Sequence, residues 1–530
     1  MVWPIYFKRI ISALFLFDLL FRIGLLGGAP LRARAITLKV AQFPRGILYQ
    51  FKVDGATALS EGGKTAEGIV TLSVSFSSNV ATPLRLQVEV RPIGTLFTGS
   101  VTGSGGVIFL GKVGKVVVSG LADGNYHWQA RLQNMLTGEV SAWEEFGAVG
   151  NVDFSIALRE PLVVVPGILG TILEKSSDGS EVWPNFPTMF ASLSDNYLDA
   201  LMLNSYGNDA QSTIRRAVIL KAVSLFPRDG AIFRADFYGN LLTAFTKEGY
   251  IENRNLFMAP YDWRLDIAKS VPVLAAKIRE AVAVSPTGRV NIIAHSMGGL
   301  LLASYLAGFP SAAGLLDKVV LVGVPEFGAP YAFKVLNYGD DLDIPILNEN
   351  EIKKIVANMP AVYELLPSRS YFNVVGGYIR DFRNGAHGIL LDYTSTVRYL
   401  SPDSAGKNRE MFLGLADNFH RAVDHALVSI PNLYNIVGCG KPTITKFEIH
   451  DGSVVDFVGG SGDGTVPEIS ARGFSDSAHT YFVLSGRTGI NHRGLMSDSR
   501  PIALVKNIIG GDVGVALPPG ISARAEDCVQ

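Results

Sequence analysis

Only two cysteines, Cys439 and Cys528, occur in 530 residues. So few exclude a disulfide-stapled scaffold and a cysteine-built zinc site. The pair can form one bridge or none. An excess of one charge sign is also lacking: 47 Lys+Arg stand against 48 Asp+Glu, a net charge of −1. A bulk basic surface for nucleic acid or anionic lipid is therefore not expected, a local patch aside. Charged residues make up 18% of the chain and hydrophobic residues 48%, which excludes a disordered polyelectrolyte. Glycine and proline follow no strict period, so a collagen-like chain is out. Past the first residues, no apolar run is long and clean enough to span a bilayer. The length suits two or three domains.

The amino terminus reads as an address. Lys8 and Arg9 precede an apolar run over 10–26, interrupted by Asp18 and Arg22. Ala33-Arg34-Ala35 then offers the small-x-small pattern of a cleavage site. Residues 1–35 are expected to be a secretory signal, giving a secreted, cell-envelope or periplasmic chain. The rival is a retained membrane anchor, and Asp18 in mid-run counts against it.

Residues 36–157 read as an all-β sandwich. Val70, Leu72, Val74 and Phe76 alternate with Thr71, Ser73 and Ser75. Leu84, Leu86, Val88 and Val90 alternate with polar residues in the same way, as do Tyr126, Trp128, Ala130 and Leu132. Period 2 of this kind sends one face to a core and the other to water. On that reading His127 is solvated, and the glycines from Gly103 to Gly106 form a turn. The stretch from Gly120 to Trp128 resembles the late strands of a fibronectin type III-like module. Such a module is a structural appendage in the plainer reading. In the functional one it contacts carbohydrate, a surface or lipid.

From residue 158 the pattern changes to strands alternating with helices, the mark of a doubly wound, mostly parallel α/β sheet. Leu162-Val163-Val164-Val165 is a short, uninterrupted apolar run, as a strand buried on both faces requires. Helices are predicted over 238–247, 271–284 and 300–307, and strands over 289–293, 318–322, 434–437 and 480–484. Ala294-His295-Ser296-Met297-Gly298 lies between a strand and a helix. A tight strand-to-helix turn needs small residues two before and two after its serine, and it sets the helix amino terminus behind the hydroxyl. Ser296 is the expected nucleophile. In this fold an acid and then a histidine follow. Among His387, His420, His425, His450, His479 and His492, only His492 follows the last strand in a loop. The acid is expected at Asp463, in the Gly-rich segment Gly462-Asp463-Gly464, with Asp456 as the alternative.

Four segments resemble the lecithin:cholesterol acyltransferase family of α/β-hydrolases, with its phospholipid:diacylglycerol acyltransferases and phospholipases. They are Val164-Val165-Pro166-Gly167-Ile168-Leu169-Gly170, Ala259-Pro260-Tyr261-Asp262-Trp263-Arg264, Ala294-His295-Ser296-Met297-Gly298-Gly299 and Gly462-Asp463-Gly464-Thr465-Val466-Pro467. The resemblance spans about 158–508 and does not extend to the β-domain. It implies an oxyanion hole made by the backbone N–H groups of Ile168 and Met297. It also implies that Tyr261 and Trp263 lie near a lid.

The catalytic domain is expected over 158–510, with cap insertions at about 174–235 and 331–431 and a flexible tail over 511–530. The first insertion holds Trp183, Phe186, Met189, Phe190 and Tyr197, candidates for the substrate-facing side of a lid. Asp340, Asp341, Asp343, Glu349 and Glu351 miss the spacing of a calcium loop, so a solvated acidic loop is expected there. No metal and no organic cofactor is expected. The expected function is serine-dependent acyl hydrolysis or acyl transfer on lipid esters at a membrane or lipid-particle surface, through an acyl-enzyme on Ser296. Two alternatives stay open: an esterase or thioesterase for small soluble esters, and a non-catalytic surface-binding protein that uses the β-domain.

Overall fold

The computed structural model describes residues 43–44, 46–77, 80–109, 111–185, 195–209, 214–225, 233–342, 347–383, 385–401, 407–450, 453–474, 479–512 and 514–528. The expected signal over 1–35 lies outside them, as do Phe186, Met189, Phe190, Asp343 and the side chains of Tyr197 and Asp456. No described helix is long and apolar enough to cross a membrane. The chain divides into two compact units, Met1–Leu158 and Arg159–Gln530.

Every regular element described in the first unit is a β-strand. Gly46–Phe51, Ile69–Phe76 and Val113–Ser119 form an antiparallel sheet with Ile69–Phe76 at its centre. The second sheet runs in the order Gly63–Thr65, Phe154–Ile156, Gly124–Asn134, Leu84–Pro92, Gly103–Ile108. Val70, Leu72, Leu86, Val88 and Trp128 share the core. Two expectations need correction. Gly103 to Gly106 belongs to an edge strand paired with Leu84–Pro92, not to a turn. Its missing side chains allow close stacking: a Cβ on Gly105 would lie 2.3 Å from the Lys115 carbonyl oxygen. Nor is the polar face solvated at His127. The segment after Pro92 folds over it, with His127 Nε2 2.9 Å from the Thr95 oxygen and Phe97 stacked on the imidazole at 4.1 Å.

The second unit is built on seven strands in the order Leu256–Met258, Leu162–Val165, Val290–His295, Leu316–Val322, Leu433–Cys439, Thr480–Leu484, Ile521–Ser522. The first six are parallel and the last is antiparallel. Successive residues of the central strands feed different cores. Val163, Ile292 and Leu321 pack with the helices Val271–Val282 and Met297–Gly308. Leu162, Ile293 and Val320 pack with Gly239–Lys247 and Ser499–Gly510. Burial on both faces explains why these strands read as unbroken apolar runs. Strand order reverses between Leu162–Val165 and Val290–His295. In open α/β sheets the crevice at such a reversal, beyond the carboxyl ends of the strands, receives the ligand.

Two insertions extend this frame. The first holds the small sheet Glu181–Trp183, Thr171–Lys175, Ile214–Ile219 and the 3₁₀ helix Asp195–Leu201. Among the described residues, the second runs through six α-helices from Pro330–Tyr338 to Lys407–Val423. A long hairpin, Lys441–His450 with Ser453–Gly462, adds to it where sequence reading expected only a Gly-rich loop. Of the acidic segment, Asp341 and Glu349 are exposed as expected, but Asp340 is buried and accepts from the Tyr331 hydroxyl, the Lys334 ammonium and the Leu342 N–H, and Glu351 is buried in a helix. The expected flexible tail is tied down as well. Ile521–Ser522 pairs with the sheet edge, and Cys528 is disulfide-bonded to Cys439.

Candidate active site

Ser296 stands at the carboxyl end of Val290–His295, directly before the helix Met297–Gly308. Its backbone adopts φ 52° and ψ −129°, a strained conformation for a residue with a side chain. The Ser296 N–H donates to the Val322 carbonyl at 2.9 Å, which holds the turn against the neighbouring strand. Small residues are required around it. A Cβ on Gly298 would come within 2.5 Å of the Pro166 oxygen, and one on Gly167 within 2.9 Å of the Ser296 Cβ. Ala294 is fully buried in the same turn.

His492 lies just past Thr480–Leu484, at the start of the 3₁₀ turn Arg493–Met496. Its Nε2 is 2.9 Å from Ser296 Oγ, and its Nδ1 is 2.7 Å from Asp463 Oδ2. Asp463 is fully buried. Its Oδ1 accepts the N–H groups of Thr465 and Val466 at 2.9 and 2.8 Å, leaving Oδ2 to face the imidazole. The long hairpin separates Asp463 from the strand Leu433–Cys439 in sequence, yet the carboxylate returns to that strand. Only a glycine fits beneath it: a Cβ on Gly438 would lie 2.5 Å from the Asp463 Cβ. His387, His420, His425, His450 and His479 make no contact with Ser296.

The turn after Leu162–Val165 faces Ser296 and is braced from behind. Tyr238 Oη accepts the Gly167 N–H at 2.8 Å. Tyr261 Oη donates to the Pro166 carbonyl at 2.9 Å. Trp183 Nε1 donates to the Leu169 carbonyl at 2.9 Å, and Trp263 Nε1 to the Thr171 carbonyl at 3.1 Å. The two indoles meet edge to face, 5.8 Å apart. Tyr261 was a candidate lid residue; it is buried behind the turn and does not line the cavity. Trp183 and Trp263 do line it.

That cavity, of about 130 Å³, opens at Ser296 and His492. Ile168 and Leu169 form one side, and Val335, Ile355 and Met359 of the second insertion form another. Apart from Ser296, His492, Thr465 and Tyr331, every lining residue is apolar. Both tryptophans spend their only polar hydrogen on backbone carbonyls, so they present bare rings. Such a lining offers an apolar surface beside the polar groups of Ser296 and His492.

Sequence reading missed three residues around this site. Arg264 is fully buried, with Nε and a terminal nitrogen on Asp262 at 2.9 and 2.7 Å. It also reaches the Leu201 carbonyl at 3.2 Å and Asp209 at 3.3 Å, both in the first insertion. Its place beside Asp262 in the Tyr-Asp-Trp-Arg segment was the available signal. Tyr238 read only as the start of a helix, and His295 only as the variable residue before the serine.

Residues 179–405 match the family Lecithin:cholesterol acyltransferase. A lysosomal phospholipase A and acyltransferase of Bos taurus is 23% identical over 399 residues, covering 68% of this chain and 93% of its own length. The phosphatidylcholine-sterol acyltransferase of Homo sapiens is 26% identical over 222 residues, 37% of this chain and 50% of its own. Among solved structures, a Bacillus licheniformis lipase in mature form aligns at 14% identity with a TM-score of 0.30, covering 66% of this chain and 92% of that one.

Proposed function

We propose that this chain is a serine acyl hydrolase or acyltransferase acting on lipid esters, of the kind its similarity to the lecithin:cholesterol acyltransferase family suggests. The hydrogen-bonded row Ser296–His492–Asp463, opening on an apolar cavity, carries the reading. Ser296 Oγ attacks the ester carbonyl while His492 Nε2 takes its proton. Asp463 orients the imidazole and stabilises its cation. The N–H groups of Ile168 and Met297 receive the oxyanion of the tetrahedral intermediate. The alcohol leaves with the proton from His492, and the acyl group stays on Ser296. Water then gives a fatty acid, or a lipid alcohol gives a new ester, with His492 again moving the proton.

The insertions act as the cap over the acyl chain, with Trp183 and Trp263 among its substrate-facing residues. The chain works outside the cytosol, a reading supported by the amino-terminal signal pattern and by the Cys439–Cys528 disulfide. The first unit is read as a fibronectin type III-like module that leaves the chemistry to the second.

The test is purified protein mixed with phospholipid vesicles, with fatty acid and new esters followed by mass. Ser296→Ala is expected to lower product formation by roughly 10⁴-fold or more while the fold persists. Equal product from both proteins would remove the serine mechanism. Turnover of short soluble esters alone would favour the small-ester alternative.

A further inference from the structure

The peptide group joining Pro166 to Gly167 is gripped at both ends. Its carbonyl accepts from Tyr261 Oη, and its N–H donates to Tyr238 Oη. The next carbonyl, that of Gly167, accepts the Gly170 N–H at 3.1 Å. In a trans peptide the N–H points away from the carbonyl. Fixing the Gly167 carbonyl toward Gly170 therefore turns the Ile168 N–H the opposite way. Ile168 lines the cavity beside Ser296.

Tyr238 is itself held. Its hydroxyl already accepts the Gly167 N–H, so its one proton is free to give, and His295 Nδ1 lies 2.8 Å away. Where Tyr238 gives that proton to Nδ1, the imidazole carries its own on Nε2. Burial, and next the neighbouring His492, hold the His295 pKa well below its ordinary value of 6.5. The ring is neutral, as acceptance at Nδ1 demands. A protonated His295 would turn a second N–H on Tyr238 and strand the phenol proton in a buried site. The other edge of His295 faces the base: the rings of His295 and His492 are 4.9 Å apart.

We propose that Tyr238 and His295 form a positioning pair that aims the Ile168 N–H at the oxyanion and ties that aim to the residue directly before the nucleophile. The pair makes no hydrogen bond to Ser296 Oγ, although the His295 ring lies against that of His492. It acts on the intermediate through the peptide it holds. The inference rests on the serine mechanism above, and Ser296→Ala tests that mechanism separately.

The experiment uses the full chain with a soluble ester and with phospholipid vesicles. Tyr238→Phe removes one oxygen and keeps the ring. It is expected to lower kcat about 10–100-fold with KM within about 2-fold, because the lost aim matters in the transition state. His295→Asn keeps an acceptor near the Nδ1 position and should retain most of the activity. His295→Leu should fall as far as Tyr238→Phe, and the double variant no further, since both break one link. Melting curves check that each variant is folded. If a variant unfolds, ¹⁵N spectra of wild-type histidines decide instead: His295 should be a neutral Nε2–H tautomer at pH 6.5, where an ordinary imidazole is half protonated. A Tyr238→Phe enzyme with unchanged kcat, a loss confined to KM, or an Nδ1–H tautomer would overturn the proposal while leaving the serine mechanism standing. A wild-type chain without serine-dependent turnover would overturn both.

Discussion

Asp153 sits in the first unit without solvent exposure. Its Oδ2 accepts the Trp128 N–H at 2.8 Å, while Oδ1 finds no partner among the described residues. Burial pushes its pKa up to about 8; the Trp128 bond opposes this, and Glu145 and Glu61 add to it. The folded chain thus keeps a proton that the unfolded chain loses near 3.8. The stability this proton contributes is complete below that value and is lost as pH rises through about 8. Glu364, raised well above its ordinary value by burial and then by Asp266, works in the same direction. Asp153→Asn supplies a neutral group that still accepts the Trp128 N–H. Its melting temperature should exceed that of wild type at about pH 8, with a shallower decline from about pH 5 upward. A decline as steep as wild type's would assign the titration to another group. Alternation along the sequence foretold which residues face the core here, but not that a carboxyl group would be enclosed with them.

At the scale of elements, the first insertion is fastened by Arg264. The guanidinium joins the segment after Leu256–Met258 to Leu201 and Asp209. Arg264→Met leaves Asp262 and Asp209 largely buried without this partner. It should cost about 3–5 kcal/mol in a denaturant titration, as removal of one member of a buried ion pair does. A loss under about 1 kcal/mol would mean that the cap is held elsewhere. The carboxyl-terminal strand Ile521–Ser522 depends on a different fastening, a bridge between cysteines 89 positions apart. Closing a loop of this length is worth roughly 4–5 kcal/mol in the chain-entropy account. Cys528→Ser should lower the unfolding free energy by about that amount, with kcat nearly unchanged because no described tail residue lines the cavity. Proline and glycine in the tail suggested mobility. The bridge was unreadable because two cysteines carry no sign of whether they meet.

At the scale of the molecule, the second unit sets a polar row at the mouth of an apolar cavity built from both insertions. On the proposed function, this cavity receives the acyl chain. Val335→Trp adds an indole to its wall, and should sharply reduce turnover of long-chain esters while sparing short ones. Rates across a chain-length series check this. A uniform drop for all lengths would point to distortion of the Ser296 turn instead.

What the sequence determined by itself is local in origin. The strand–serine–helix turn needs small residues at adjacent positions, and buried parallel strands need unbroken apolar runs. Both constraints are written in contiguous residues, so the serine turn and the buried strands could be read there, whereas Asp463 and His492 were read from the chain order of this fold and the Ile168 N–H from the family resemblance. Only the tertiary structure decided the rest. Ser296 and His492 meet across 196 positions, and Tyr238 meets Gly167 across 71 and His295 across 57. The cover over His127, the enclosure of Asp340, the hairpin before Asp463 and the Cys439–Cys528 bridge are of the same kind. Each depends on which distant surface arrives next to a residue, and no periodicity along the chain encodes that arrival.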